Sequence, residues 1–198
     1  PQNPFHVGNY DTPGFAREVA LSGNYAYVAD DIAGLRVINI TNPLAPTLAG
    51  FFNTPSEARG VTISGNYCYV SDDTSGLYIL NISNPASPSL VRAYVTPGRA
   101  YHVAVSGNYC FVADYYSGIT VLDVSNPASP TVVGSYDTPG RAWGVDVSGN
   151  YAYLADWYSV MVLHFTPLLP LNGAADGLIT EFGSGTPMQN AIVNLIQG

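Results

Sequence analysis

The sequence contains no lysine, and its six arginines stand against fourteen aspartates and glutamates, for a formal charge of −8. A surface of that sign repels phosphate backbones and anionic headgroups, which argues against nucleic acid and membrane surfaces as partners. Long apolar runs are missing too; none approaches the roughly 18 residues that a spanning helix needs. No initiator methionine precedes Pro1, so a removed leader or a longer precursor is expected. Catalytic signatures are equally scarce. There is no nucleophile elbow, no phosphate loop and no Cys/His metal cluster, and His6, His102 and His164 fall in unrelated places. No enzyme activity, cofactor or metal is expected.

What the chain does have is a beat. Ser-Gly-Asn-Tyr recurs at Ser22–Tyr25, Ser64–Tyr67, Ser106–Tyr109 and Ser148–Tyr151, each copy 42 residues after the last. Thr12-Pro13, Thr54-Pro55, Thr96-Pro97 and Thr138-Pro139 keep the same period, as do Asn42-Pro43, Asn84-Pro85 and Asn126-Pro127. Strand-rich units of about 40 to 45 residues point to propeller blades. In the second copy, runs ending at Ile63, Val70, Ile82 and Val95 are separated by turn residues, which makes a four-stranded antiparallel meander. The third run is apolar on both faces and suits a sheet sandwiched between two others.

The expected fold is therefore all-β, a β-propeller of four four-stranded blades over residues 1–167. Its repeats are 13–54, 55–96, 97–138 and 139–167. Residues 5–12 match the fourth-strand slot of the other copies, as in Val133–Thr138, while the last copy loses the pattern after Phe165. Pairing the spare strand with Met161–Phe165 would close the ring and hide both edges. Cys68 and Cys110 share a slot with Ala26 and Ala152. A slot taking only Ala or Cys reads as tight and buried, and equivalent slots in adjacent blades lie too far apart for a disulfide. Two packed free thiols are expected.

Tyr27-Val28-Ala29-Asp30, Leu35–Ile40 and Ile119–Pro127 resemble the LVIVD-repeat family of β-propellers, secreted and cell-surface proteins of bacteria and archaea. Asn39 and Asn81 stand where the family and Asp123 carry Asp. The resemblance covers residues 5 to 165. It implies a propeller fold and an extracellular or cell-surface location, and it carries no catalytic residues. The abundance of Tyr, Gly, Pro, Ser and Asn agrees with that location.

Function is sought where the repeats diverge. Fifth before each repeat's Ser stand Arg17, Arg59, Tyr101 and Trp143; fourth stand Glu18, Gly60, His102 and Gly144; seventh stand Phe15, Glu57, Arg99 and Arg141. These slots gather at the mouth of a central channel. Arg17, Arg59, Tyr101, His102, Arg141 and Trp143 are the candidate ligand-binding residues, since aromatic faces with a few polar hooks suit a glycan or small ligand. The plainer expectation is that each arginine pairs with a neighbouring Asp and each aromatic plugs the channel. Asp30, Asp31, Asp72, Asp73, Asp114 and Asp156 follow the second strands and read as turn caps, because the spaced ligand pattern of a calcium loop is missing. Glu18, Glu57 and Asp146 offer only a weak case for a glycosidase pair. Asn39-Ile40-Thr41 and Asn81-Ile82-Ser83 fit the glycosylation sequon.

Residues 168–198 remain as a tail. Thr186-Pro187-Met188-Gln189 forms a capping box with Pro at the first helical position, which favours a short C-terminal helix over a strand at 191–197. Met188, Ile192, Val193, Leu195 and Ile196 are candidate assembly contacts, since large aliphatic side chains do not stay in water at no cost. The leading functional reading is a non-enzymatic structural subunit that self-assembles into a homo-oligomer, surface assembly or filament through this tail. The alternative is a glycan- or protein-recognition module working through the Arg/aromatic face.

Overall fold

A computed structural model describes residues 3–166 together with Thr180 and Glu181. The expected tail helix and the expected contacts of Met188, Ile192, Val193, Leu195 and Ile196 lie outside the described residues. Four antiparallel four-stranded sheets follow one another along the chain. Blade 1 holds β1 (Glu18–Ser22), β2 (Tyr25–Ala29), β3 (Leu35–Asn39) and β4 (Thr47–Phe52). Blade 2 holds β5 (Gly60–Ser64), β6 (Tyr67–Ser71), β7 (Leu77–Asn81) and β8 (Ser89–Tyr94). Blade 3 holds β9 (His102–Ser106), β10 (Tyr109–Ala113), β11 (Ile119–Asp123) and β12 (Thr131–Tyr136). Blade 4 holds β13 (Ala142–Ser148), β14 (Tyr151–Asp156), β15 (Ser159–His164) and the short β16 (Thr180–Glu181). Among the described residues there is no helix.

Turn chemistry sets these boundaries. Gly-Asn makes the two-residue hairpin between first and second strands, with Ser22 opposite Tyr25 in blade 1 and the same pairing in the others. The Asn-Pro sequence stops the third strand, and the Asn side chain accepts an N–H two residues on: Leu44 to Asn42 at 3.1 Å, Ala86 to Asn84 and Ala128 to Asn126 at 3.2 Å. The sequon residues Asn39 and Asn81 do likewise for Thr41 and Ser83. Every complete fourth strand carries a bulge at the same register, opposite Val37/Ile38, Ile79/Leu80 and Val121/Leu122.

The core lies between blades. Tyr27, Ala29, Leu35 and Val37 of blade 1 face Ala58, Val61, Cys68, Val70 and Leu80 of blade 2, and the next two interfaces repeat the arrangement. Burying each large side chain is worth about 1.5 to 3 kcal/mol, so the contact between blades is what holds each thin sheet. Both cysteines are free and buried in second strands.

The expected closure by the N-terminal strand is not formed. Residues 5–12 make no ladder; β15 instead pairs with β16 through Leu163 with Glu181 and His164 with Thr180. An open edge takes whichever extended segment reaches it, and here a segment downstream in the same chain does so. The N-terminal segment nevertheless occupies an outer-strand position. A side chain on Gly8 would strike Pro43 O at 2.3 Å, as one on Gly50 would strike Pro85 O at 2.4 Å. Similar residues found a similar place without the hydrogen bonds.

As a result apolar side chains stay exposed on both end blades, although on blade 1 Tyr10 packs against the buried Ala26, Val28 and Ile38. Val19 is 58% exposed, whereas its equivalents Val61, Val103 and Val145 are at 3%, 1% and 3%; Val160 is 74% exposed where Leu35, Leu77 and Ile119 are at 0%, 0% and 1%. Bridges join Asp31 to Ala58, Asp73 to Ala100 and Tyr115 to Ala142. No such bridge joins blade 4 to blade 1 among the described residues.

Candidate functional site

The site begins with the first strands, which lie side by side from blade to blade. The slot occupied by Glu18, Gly60, His102 and Gly144 alternates large and small around the axis. Glu18 from blade 1 reaches past Gly60 to His102 in blade 3, Oε1 to Nε2 at 2.8 Å, while its Oε2 accepts the Val61 N–H at 2.9 Å. There is no room for a side chain on Gly60, whose Cβ would lie 3.0 Å from Glu18 Oε2 and from the His102 Cα. On the far side the Val145 N–H faces His102 Nδ1 at 3.4 Å. Burial disfavours a charged imidazole, but the Glu18 hydrogen bond and charge more than offset it, so the His102 pKa lies above its ordinary value.

Two hollows share this pair. The upper, of about 320 Å³ at the start of the first strands, is lined by Arg17, Glu18, Arg59, Tyr101, His102 and Trp143. The lower, of about 390 Å³ further along those strands, includes Glu18, Thr62, His102, Val105 and Asp146. Because a raised His pKa favours the folded state on the acid side, the contribution is fully present below the ordinary imidazole value of about 6.5. It is lost as pH rises through the raised folded-state value. The melting temperature should therefore gain on going from about pH 8 to about pH 5.5, and His102→Gln should flatten that part of the profile. An unchanged profile in the variant would remove His102 as the cause.

Around the mouth, the residue after each conserved blade Asp has left-handed geometry: Asp31 (φ 53°), Asp73 (43°), Tyr115 (51°) and Trp157 (47°). Such non-glycine conformations are uncommon and concentrate where structure over-determines them. In blades 1 and 2 they present carboxylates. Arg17 Nε donates to Asp31 Oδ2 at 2.7 Å. Asp73 is shared: Arg59 Nε lies 2.6 Å from Oδ2, and Arg99 grips both oxygens at 2.5 and 2.8 Å. Burial would raise the Asp73 pKa, but the two guanidinium groups outweigh it and hold it below the ordinary carboxylate value. Glu57 takes the remaining arm of Arg59 at 2.5 Å.

In blades 3 and 4 the same positions present rings. Tyr101 stacks on Tyr115 at 4.5 Å, with 8° between planes. Trp143 meets Tyr101 edge-on at 4.8 Å and continues to Trp157 at 5.9 Å. Arg59 lies 4.2 Å over Tyr101 and joins the two halves. Trp143 and Trp157 remain more than 40% exposed. One half of the mouth is a salt-bridge lattice and the other is an aromatic wall.

Five of the six candidate residues thus converge on one depression: Arg17, Arg59, Tyr101, His102 and Trp143. Arg141 stands apart, within the wall. The arginine–aspartate pairing expected as the plainer outcome holds for Arg17, Arg59 and Arg99 and fails for Arg141. Of the weak glycosidase candidates, Glu18 is tied to His102, Glu57 to Arg59, and Asp146 lines the lower cavity. Tyr115 and Trp157 were missed as mouth residues, although their slot diverges among the repeats as clearly as those chosen.

Asp30, Asp72, Asp114 and Asp156 serve the blades themselves. Each accepts a Thr hydroxyl and a backbone N–H from the loop entering its blade, for example Thr54 at 2.5 Å and Ser56 at 2.9 Å on Asp72. Among the described residues no three His, Cys, Asp or Glu side chains gather as a metal set.

The family profile described as LVIVD repeat matches residues 13–54, 55–96, 97–138 and 139–163. Among solved structures, the computationally designed Ika4 protein is similar with a TM-score of 0.67 at 12% identity, covering 82% of this chain and 99% of that one. Glutaminyl cyclase of Myxococcus xanthus is similar with a TM-score of 0.55 at 16% identity, covering 76% and 65%. These identities carry a likeness of fold alone. No curated protein sequence matches the chain.

Proposed function

The chain belongs to the LVIVD-repeat family, and on that scaffold we propose a non-enzymatic recognition module, secreted or held at a cell surface, that binds a glycan at its channel mouth. The observation that carries this reading is the meeting of Arg17, Arg59, Tyr101, His102 and Trp143 in one depression. Sugars present flat apolar patches edged by hydroxyls, and a site of rings with a few fixed polar groups matches both. The polar groups here are held in place: Arg17 by Asp31, Arg59 by Asp73 and Glu57, His102 by Glu18. Holding them beforehand lowers the ordering cost of binding. The same commitments leave these groups poorly placed to act as a free acid, base or nucleophile, which supports a binding role over catalysis.

Screening against an immobilised oligosaccharide panel should find a saccharide that binds. Trp143→Ala should then weaken it about five- to twelvefold, the loss of one stacked ring at roughly 1 to 1.5 kcal/mol, with the variant still unfolding in one cooperative transition. A panel with no binder, or full affinity in the variant, removes the reading.

A second reading, a self-assembling structural subunit, draws on the apolar side chains left exposed on blades 1 and 4. Val19, Leu21 and Val160 are exposed there in slots built for burial, and contact between copies would cover them. On this reading the intact chain forms large particles in solution, and deleting residues 168–198 leaves a folded monomer. A monomeric intact chain at high concentration, or a truncated chain that unfolds, rules it out.

A further inference from the structure

Three arginines at the mouth grip carboxylates, and a fourth in an equivalent position does not. Arg99 and Arg141 occupy the same slot of successive repeats and reach back to the left-handed residue of the preceding blade. For Arg99 that residue is Asp73, held through Nε and Nη2 at 2.5 and 2.8 Å. For Arg141 it is Tyr115, whose hydroxyl accepts from Nη1 at 3.0 Å. Among the described residues, no carboxylate is paired with Arg141. Its guanidinium is instead held against rings, 4.2 Å from the Trp157 centroid, 4.8 Å from Tyr116 and 5.3 Å from Tyr115. The one other arginine in this slot, Arg99, binds a carboxylate, and Arg141 meets a tyrosine in its place.

We propose that Arg141, with Trp143, Trp157 and Tyr116, forms a subsite for an acidic sugar. The ligand carboxylate takes the role that Asp73 plays for Arg99, and the apolar face of its pyranose ring lies on an exposed indole. An arginine fork suits a carboxylate, and a guanidinium already packed on rings loses little freedom when it binds one. A cationic ligand fits poorly, because Arg141 already fills the cation position over these rings. Trp143 also lines the channel-mouth depression, so the subsite extends that site outward. The inference rests on the glycan-binding reading and adds the ligand's charge.

The test uses trigalacturonate and its neutral counterpart, galactotriose, titrated into the intact chain at fixed ionic strength. Preference for the acidic sugar should be at least tenfold and should vanish in Arg141→Gln and in Tyr115→Asp. The second variant restores the carboxylate that blades 1 and 2 carry at this position, in a backbone geometry Asp tolerates better than Tyr. A melting curve confirms that it folds. Equal binding of both sugars by the unaltered chain overturns the subsite and leaves the glycan-binding reading standing. Binding of neither, with an empty saccharide panel, overturns both. A preference that survives Arg141→Gln assigns the charge reading to another residue and overturns the proposal. Competition by triglutamate as strong as by trigalacturonate overturns the assignment to a sugar.

Discussion

Asp114→Ala should destabilise the chain by about 3 kcal/mol, read from the denaturant midpoint with an unchanged slope. Asp114 is fully buried and accepts the Thr96 hydroxyl at 2.6 Å and the Gly98 N–H at 2.9 Å, with the Thr120 hydroxyl at 3.4 Å. Removing the carboxylate leaves a buried hydroxyl and a backbone donor without a partner, at about 1 to 3 kcal/mol each. Asp114→Asn keeps an acceptor oxygen and should cost about half as much. Burial raises the Asp114 pKa more than its donors lower it. Its effect therefore favours the folded state below the ordinary carboxylate value and is lost as pH rises through the raised one. Asp73 works in the opposite sense: its depressed pKa supports folding above the ordinary value and ceases to do so as pH falls through the depressed one. A loss under about 1 kcal/mol for Asp114→Ala would show that the incoming loop is held some other way.

Gly76→Ala should cost at least as much. Gly76 has φ +80°, and an added Cβ would lie 2.3 Å from Tyr94 O and 2.7 Å from Thr96 N. Both are backbone atoms of the strand and turn that close blade 2, so neither can swing aside. Left-handed geometry costs an L-residue about 1 to 2 kcal/mol, and overpacking adds about 1 to 3. Gly65→Ala is the control, since Gly65 has φ +57° but nothing within 4 Å; only the conformational cost should appear. Equal losses at the two sites would mean that the close approach at Gly76 is relieved by a shift of the turn.

These glycines and aspartates also mark what the sequence could convey. The 42-residue beat located every blade, because turn residues and packed slots must recur wherever a blade recurs. Ala26, Cys68, Cys110 and Ala152 are all buried as their small size implied. The mouth was legible for a related reason: only slots released from packing were free to diverge, and five of six chosen residues meet there. Tyr115 and Trp157 escaped notice because their left-handed geometry is a property of backbone shape. In blades 1 and 2 that position reads as one more turn aspartate. Closure of the ring was misjudged on different grounds. The likeness of residues 5–12 to Val133–Thr138 reports a shared environment, which Gly8 does occupy beside Pro43, but it does not say which neighbour supplies the hydrogen bonds.

The tie between Glu18 and His102 bears on how the chain comes apart. In an array where each unit leans chiefly on its neighbours, the end units have one interface where inner units have two, and local opening starts with them. Blade 1 is an end unit with a second anchor, because Glu18 fastens it to blade 3 and to the Val61 N–H. Blade 4 reaches His102 through the longer contact from Val145 and otherwise rests on blade 3 alone among the described residues, through Arg141, Ala142 and Trp143. Fraying is therefore expected to favour the C-terminal blade, which carries Trp143 and Trp157, and that would leave the aromatic wall the part of the mouth freest to adjust to what it meets.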